Sequence, residues 1–96
     1  MSGRAIADDG SRPKLAPHRR LRFDNTRSSW TIQAPERAFV LDEIAHAIVS
    51  RCDGKKTASE IIDDLCRVFG EAPREVIASD VLMLLQDFAD KGVMVL

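Results

Sequence analysis

The feature that most constrains this chain is a change of hydrophobic period at residues 37–41. Up to Leu41 apolar and polar residues alternate, and from Asp42 the apolar residues recur every three to four positions. Alternation is typical of a strand with one buried face, and the longer period is typical of an amphipathic helix. We therefore predict a short edge strand at 37–41 that runs directly into a helix.

Two further alternating segments precede this strand. Residues 20–23 alternate, and residues 29–33 place Trp30 and Ile32 on one face. Pro35 ends the second strand because it has no N–H to donate to a neighbouring strand. Three antiparallel strands within about twenty residues form a small sheet, and one of its faces must be covered by the elements that follow.

Three helices are predicted after the sheet. The first begins at Asp42, ends at Asp53-Gly54 and buries a stripe of Leu41, Ile44, Ala45, Ile48 and Cys52. The second opens with Thr57 and Glu60, which have the spacing of a capping box, and buries Ile61, Ile62, Leu65, Cys66 and Phe69. The third covers residues 73–90 and starts at Pro73, where the missing N–H costs nothing. The apolar residues 93–96 either pair as a strand or dock on the core.

The third helix has more apolar surface than one core stripe. Ile77, Val81, Leu84, Leu85 and Phe88 form that stripe. Val76 and Met83 form a separate pair, with Asp80 and Asp87 between the pair and the core. Two interpretations stay open at this point: a broad interface with the other helices, or the wall of a groove.

Residues 1–16 contain Gly, Ser, Asp and Pro without periodicity, and are predicted to be a disordered arm. The arm is either flexible, a linker from a longer polypeptide, or a remnant of cloning. The ordered domain is predicted to span residues 17–96. Its fold class is α+β and winged helix-turn-helix-like, with a three-stranded antiparallel sheet followed by three helices.

The sequence contains no catalytic or metal-binding constellation. Cys52 and Cys66 fall at apolar helical positions and are predicted to be reduced core thiols. A zinc site needs about four Cys or His ligands at short spacing, which His18 and His46 do not supply. His46 is predicted to be exposed on the first helix. With no phosphate-binding loop and no nucleophile paired with a base, we predict that the protein is not an enzyme and holds no metal.

Neither a membrane nor a nucleic acid fits as a partner. The longest apolar run, residues 81–85, is far shorter than the roughly 20 residues of a membrane span, and no apolar signal segment is present. A cytoplasmic protein is therefore expected. A winged helix often binds DNA through its third helix. Here that helix exposes mainly acidic residues (Glu75, Asp80, Asp87 and Asp90 against Arg74 and Lys91), which would repel phosphates.

Peptide capture is the remaining mode of binding, because an extended ligand can pair with a free sheet edge. Several short motifs carry a resemblance to a known family by their order and spacing: Pro13-Lys14-Leu15, Arg20-Leu21, Ala34-Pro35-Glu36-Arg37, Leu41-Asp42, Cys52-Asp53-Gly54, Thr57, Glu60-Ile61, Phe69, Asp80-Val81, Leu85 and Lys91-Gly92. Over about residues 12–96 the chain resembles the PqqD family of pyrroloquinoline quinone (PQQ) biosynthesis. Through that family it resembles the RiPP recognition elements, which bind ribosomally made precursor peptides.

The resemblance implies a peptide chaperone that binds the precursor peptide PqqA and presents it to the radical SAM enzyme PqqE. Iron–sulfur clusters and S-adenosylmethionine belong to that enzyme, so no cofactor is expected here. The family's peptide lies against the third strand and the third helix, which correspond to Arg37, Ala38, Phe39, Val40, Leu41, Val76, Asp80, Met83, Leu84 and Asp87. The alternative function is a generic winged-helix module for protein interaction or nucleic-acid binding. A monomer is expected, with pairing of two edge strands as the alternative.

Two residues depart from the family pattern. His18 follows Ala16-Pro17 where the resemblance leads us to expect Gly, and Gln33 replaces an expected aliphatic residue in the second strand. In some lineages of this family the domain is fused to a neighbouring biosynthetic enzyme. The arm of residues 1–16 is consistent with descent from such a linker.

Overall fold

A computed structural model describes residues 5–96 and contains five strands and three helices. Their order is β1 (Lys14–Leu15), β2 (Arg20–Asp24), β3 (Ser29–Gln33), β4 (Ala38–Leu41), α1 (Glu43–Val49), α2 (Ala58–Val68), α3 (Arg74–Asp90) and β5 (Met94–Val95). Strands β2, β3 and β4 form an antiparallel sheet in that order, and β1 pairs with β5 in a separate two-stranded sheet. The predicted α+β, winged helix-turn-helix-like fold is confirmed.

The three-stranded sheet buries one face against the helices. In its register Ile32 lies opposite Leu21 on one side and Phe39 on the other. Ile32 is fully buried and Leu41, on the same face, is 5% exposed. Alternation along these strands therefore positions the sheet as the sequence predicts.

Helix α3 supplies the centre of the core. Ile77, Val81, Leu85 and Phe88 are its buried side chains. They pack with the buried residues of α2, which are Ala58, Ile61, Ile62 and Leu65. Each fully buried Leu, Ile or Val stabilises the fold by roughly 1.5–3 kcal/mol relative to an exposed one. The buried stripe therefore fixes how α3 is rotated about its own axis.

Helix α1 differs from the prediction in its end and in one buried residue. It ends at Val49 rather than at Asp53-Gly54. The chain then tightens into turns in which the N–H of Arg51 bonds the carbonyl of Ile48. The assignment of Ile44 to the core stripe is wrong, because Ile44 is 47% exposed and Val49 is buried in its place.

Helix α2 begins with the predicted capping box. The Thr57 hydroxyl accepts the N–H of Glu60 at 3.2 Å, and the Glu60 carboxylate accepts the N–H of Thr57 at 2.8 Å. The Thr57 backbone N–H and then the Thr57 hydroxyl, which both donate to the Glu60 carboxylate, lower the pKa of Glu60. The cap satisfies two backbone groups that a helix start otherwise leaves unpaired.

The segment before β2 also contacts this helix start. The N–H of Ala58 donates to the carbonyl of Ser11 at 2.8 Å, and the N–H of Ser59 donates to the carbonyl of Asp9 at 3.0 Å. Pro13 and Ser11 are buried. Residues 5–16 thus differ from the predicted disordered arm, whereas residues 1–4 of that prediction lie outside the described residues. The sequence did not predict this structure, because isolated hydrogen bonds and a two-residue strand are too short to produce a periodic pattern of apolar residues.

The beginning of this segment lies on α3. The side chain of Gln86 accepts the N–H of Ala7 at 2.8 Å and donates to the carbonyl of Ala5 at 2.9 Å. A single side-chain amide thereby bonds two main-chain groups of this segment. The N-terminal segment is therefore attached to α3 as well as to α2.

Both departures from the family pattern have a structural context. His18 has a φ of +63°, a left-handed conformation that Gly adopts without strain. This explains why Gly is the expected residue there, since other residues pay roughly 1–2 kcal/mol for that conformation. Gln33 is exposed at the end of β3, so its polar side chain remains in solvent.

Deletion of residues 1–12 tests whether the N-terminal segment is part of the folded unit. It removes the carbonyls of Asp9 and Ser11 that accept the first N–H groups of α2. With about 1 kcal/mol for each hydrogen bond, we expect a loss of roughly 1–3 kcal/mol in the free energy of unfolding, measured by urea denaturation. An unchanged midpoint would instead support the disordered arm predicted from composition.

Candidate functional site

Strand β4 forms one edge of the three-stranded sheet, and its outer side carries main-chain groups that no residue among 5–96 pairs with. The N–H of Ala34 bonds the carbonyl of Arg37, and this pair continues the β3–β4 register. Because hydrogen-bonded pairs alternate along antiparallel strands, Phe39 and Leu41 bond β3. The main-chain groups of Ala38 and Val40 therefore point away from the sheet. They offer two donors and two acceptors to an added strand.

Helix α3 exposes a pair of apolar side chains. Val76 is 49% exposed and Met83 is 68% exposed, so the predicted apolar pair is indeed separate from the core. Asp80 is exposed between them, and Leu84 is half-buried. Of the two open interpretations of the third helix, this exposure favours the groove wall.

An apolar cavity of about 190 Å³ lies at the N-terminal end of α3. Ile44 from α1 and Val76 from α3 form its exposed sides, and Asp80 stands at its polar side. The remaining lining comes from Ile48, Leu65, Phe69, Ala72, Ile77 and Val81. Sequence reasoning missed this cavity because Ile44 fits the core stripe of α1 equally well on a helical wheel.

Near its C-terminal end α3 approaches the start of β4. The rings of Phe39 and Phe88 are 5.8 Å apart, measured between their centroids. The guanidinium of Arg37 lies 4.5 Å from the Phe39 ring centroid and the ammonium of Lys91 lies 6.0 Å from it. We call the space between the β4 edge and α3 the groove. Phe39 and Phe88 contact each other at one end of it, near the cations, and Ile44, three residues after β4, lines the apolar cavity with Val76 at the other end.

The predicted site residues have different positions in this groove. Ala38, Val40, Val76, Asp80 and Met83 are exposed, and Phe39 and Leu84 are half-buried. Leu41 is 5% exposed and belongs to the core, so only its main chain is near the edge. Asp87 binds Lys91 at 2.9 Å. Arg37 is in the turn just before β4.

His46 is not the exposed helix residue that the sequence predicts. Its ring is half-buried and stacks on Trp30, with centroids 4.5 Å apart and planes 9° from parallel. Trp30 also meets the edge of Phe23 at 5.5 Å. The imidazole therefore helps to pack α1 on the sheet.

The described residues contain no arrangement suited to metal binding. No three His, Cys, Asp or Glu side chains in residues 5–96 are grouped to hold a metal ion. Cys52 and Cys66 are free thiols. Burial, assisted by the nearby Asp53 carboxylate, raises the pKa of Cys52 to about 12, so this thiol is protonated at neutral pH and a poor nucleophile. No helix within residues 5–96 is long and apolar enough to cross a membrane.

Comparisons with known proteins agree on one family. A family model described as coenzyme PQQ synthesis protein D (PqqD) matches residues 29–94. A Rhodopseudomonas palustris (strain BisB5) protein named "PqqA binding protein" is 47% identical over 96% of this chain and 90% of its own length. A Bradyrhizobium diazoefficiens protein of the same name is 44% identical over 88% of this chain and 81% of its own.

A solved structure has the same fold. It is the solution structure of the PqqD truncation of Methylobacterium extorquens PqqCD, described as a functional and stand-alone RiPP recognition element. It superimposes with a TM-score of 0.81 at 34% identity, covering 95% of this chain and 96% of its own. The similarity therefore extends over nearly the whole chain, including the segment before β2.

Amide hydrogen exchange measured by NMR tests the geometry of the β4 edge. The N–H groups of Phe39 and Leu41 are bonded to β3 and should exchange slowly, whereas those of Ala38 and Val40 should exchange rapidly. Alternation of fast and slow amides within one four-residue strand is the expected result. Protection of Val40 in the unliganded protein would mean that the edge is already covered, for example by a second copy of the chain.

Proposed function

Because the chain belongs to the PqqD family, we propose that it is a peptide chaperone that binds the ribosomally made precursor peptide PqqA. It presents this peptide to the radical SAM enzyme PqqE in pyrroloquinoline quinone biosynthesis. The protein acts in the cytoplasm and performs no catalytic step of its own. Its relatives named "PqqA binding protein" support the choice of peptide, and presentation to PqqE rests on family membership.

One structural observation carries the proposal: within residues 5–96 the edge of β4 is unpaired, and α3 exposes an apolar face. Ala38 and Val40 direct their main-chain groups outward, and Val76 and Met83 expose apolar side chains on α3. Together these two features support a site for an extended peptide. The chaperone would bind it as a fourth strand next to β4.

The alternation of the added strand determines which of its side chains are read. Residues of the peptide opposite Ala38 and Val40 point to the outer face of the sheet, as those two side chains do. The residues between them, opposite Phe39 and Leu41, point toward α3. Main-chain pairing supplies affinity for any extended sequence, and every second side chain supplies specificity.

The α3 side of the groove favours apolar side chains. The cavity lined by Ile44 and Val76 has about 190 Å³ of space, which suits one medium-sized aliphatic or aromatic side chain. Filling it would bury apolar surface of both partners, worth roughly 25 cal/mol for each Å². We propose that one apolar residue of the precursor occupies this cavity.

Presentation to the enzyme requires that part of the precursor remains accessible. A four-residue edge strand pairs with only about four to six residues of peptide. The rest of the precursor would extend beyond the groove and be available to PqqE. The chaperone thus holds one segment of the peptide while the enzyme modifies another.

The substitution Val40→Pro tests main-chain pairing. It removes an outward N–H, and the proline ring obstructs an approaching strand. Loss of one hydrogen bond of about 1 kcal/mol plus this obstruction should weaken PqqA binding at least tenfold in a calorimetric titration. Val40→Thr keeps the N–H and a β-branched side chain, and should bind within about twofold of the unaltered protein.

Two results would contradict the proposal for the strand edge. The first is a folded Val40→Pro protein, as judged by circular dichroism, that binds PqqA normally. The second is salt-dependent binding of duplex DNA in place of the peptide, which would favour a nucleic-acid module.

The substitution Val76→Ala tests the helix face. It removes two methyl groups from the exposed side of the cavity, and we expect a three- to tenfold loss of PqqA affinity, since a buried methylene contributes about 0.8 kcal/mol. Val95→Ala is a matched control, because Val95 is 47% exposed against 49% for Val76 and lies in β5, which pairs with β1. Equal effects of the two substitutions would exclude a specific role of the α3 face.

A further inference from the structure

Positively charged side chains cluster at the end of the groove near Phe39, and they line a cavity there. A second cavity of about 230 Å³ lies where the turn before β4 meets the end of α3. Phe39 lies at its base, and three cationic side chains (Arg19, Arg37 and Lys91) line it. The cavity is continuous with the β4 edge because Phe39 belongs to both.

The cations of this cavity have unused hydrogen-bonding capacity. The Arg37 side chain has no hydrogen bond or ion pair with any residue that the structure describes, and its guanidinium is held against the Phe39 ring at 4.5 Å. The Nε atom of Arg19 is buried and finds no hydrogen-bond partner in that same part of the chain. Another nitrogen of the same guanidinium, Nη1, donates to the carbonyl of Pro17 at 2.7 Å. Among the described residues, Arg37 is therefore the arginine of this cavity whose side-chain donors remain open.

Two carboxylates belong to this charge distribution. Asp87 pairs with Lys91 at 2.9 Å and offsets its charge. Glu36 lines the cavity in the turn next to Arg37. The three cations outnumber these two anions, so an additional negative group would be attracted. An arginine stacked on an aromatic ring presents its planar N–H donors in the arrangement that a carboxylate accepts.

We infer that the cavity formed by Arg19, Arg37 and Lys91 around Phe39 binds a carboxylate of the peptide held along β4. This inference rests on the proposed function, and it adds the class of residue that is read at one end of the groove. The carboxylate anchors the peptide at the start of β4, and the apolar cavity at Ile44 and Val76 receives a residue farther along. The two contacts together fix the register and the direction of the added strand.

Charge coupling between protein and peptide tests the inference. PqqA and a set of variants, each with one Asp or Glu replaced by its amide, are titrated into the unaltered protein and into Arg37→Gln. Arg37→Gln should bind PqqA about tenfold more weakly. One of the peptide variants should bind the unaltered protein more weakly than PqqA does. The same variant and PqqA should bind Arg37→Gln with equal affinity. If no Asp or Glu substitution gives this result, PqqA with an amidated C-terminus is titrated in the same way. The same result with that peptide would assign the site to the terminal carboxylate.

Matched variants separate specific recognition from a general effect of charge. Arg22→Gln removes the same charge from an exposed position of β2, at the other edge of the sheet, and should bind PqqA normally. Arg37→Lys keeps the charge without the planar group and should give an intermediate affinity. If Arg22→Gln and Arg37→Gln lose the same affinity for PqqA, the loss is explained by the net charge of the protein, and the inference is overturned.

The remaining outcomes distinguish this inference from the proposed function. If Arg37→Gln binds PqqA as tightly as the unaltered protein, the carboxylate site is refuted and the peptide chaperone stands. If the unaltered protein does not bind PqqA, both are refuted. Because Arg37 is exposed and precedes β4, its substitution leaves the core intact, and circular dichroism confirms the fold of each variant.

Discussion

The rotation of α3 about its axis is the constraint on which the rest of the structure depends. Val81 and Leu85 are fully buried, and this burial leaves the helix only one rotational setting. The same setting directs Val76 and Met83 into solvent. The exposed apolar face of α3 is therefore a by-product of core packing.

The elements with a regular pattern could be predicted from the sequence. Strand alternation located the sheet, the Thr57–Glu60 spacing located the start of α2, and the helical wheel of α3 separated Val76 and Met83 from the core. Each of these signals repeats over at least a turn or a strand pair, or pairs two side chains at a fixed spacing. The exposure of Val76 and Met83 belongs to this predictable part, as does strand β4.

Features that depend on single tertiary contacts could not be predicted. Ile44 satisfies the core period of α1, yet only the packing of Ala45, Ile48 and Val49 decides that it faces the cavity. His46 becomes part of the packing because Trp30 lies opposite it. The segment before β2 is held through main-chain carbonyls, which every residue possesses. Hydrogen bonds to main-chain carbonyls therefore cannot be recognised from the sequence.

The attachment of the N-terminal segment gives α3 contacts on two of its sides. Gln86 and Phe88 are two residues apart on α3 and point to opposite sides of the helix. Gln86 holds Ala5 and Ala7, whereas Phe88 meets Phe39 at the groove. Residues 5–7 therefore lie on the side of α3 opposite to Phe88. One helix thus holds the N-terminal segment on one side and contacts β4 on the other.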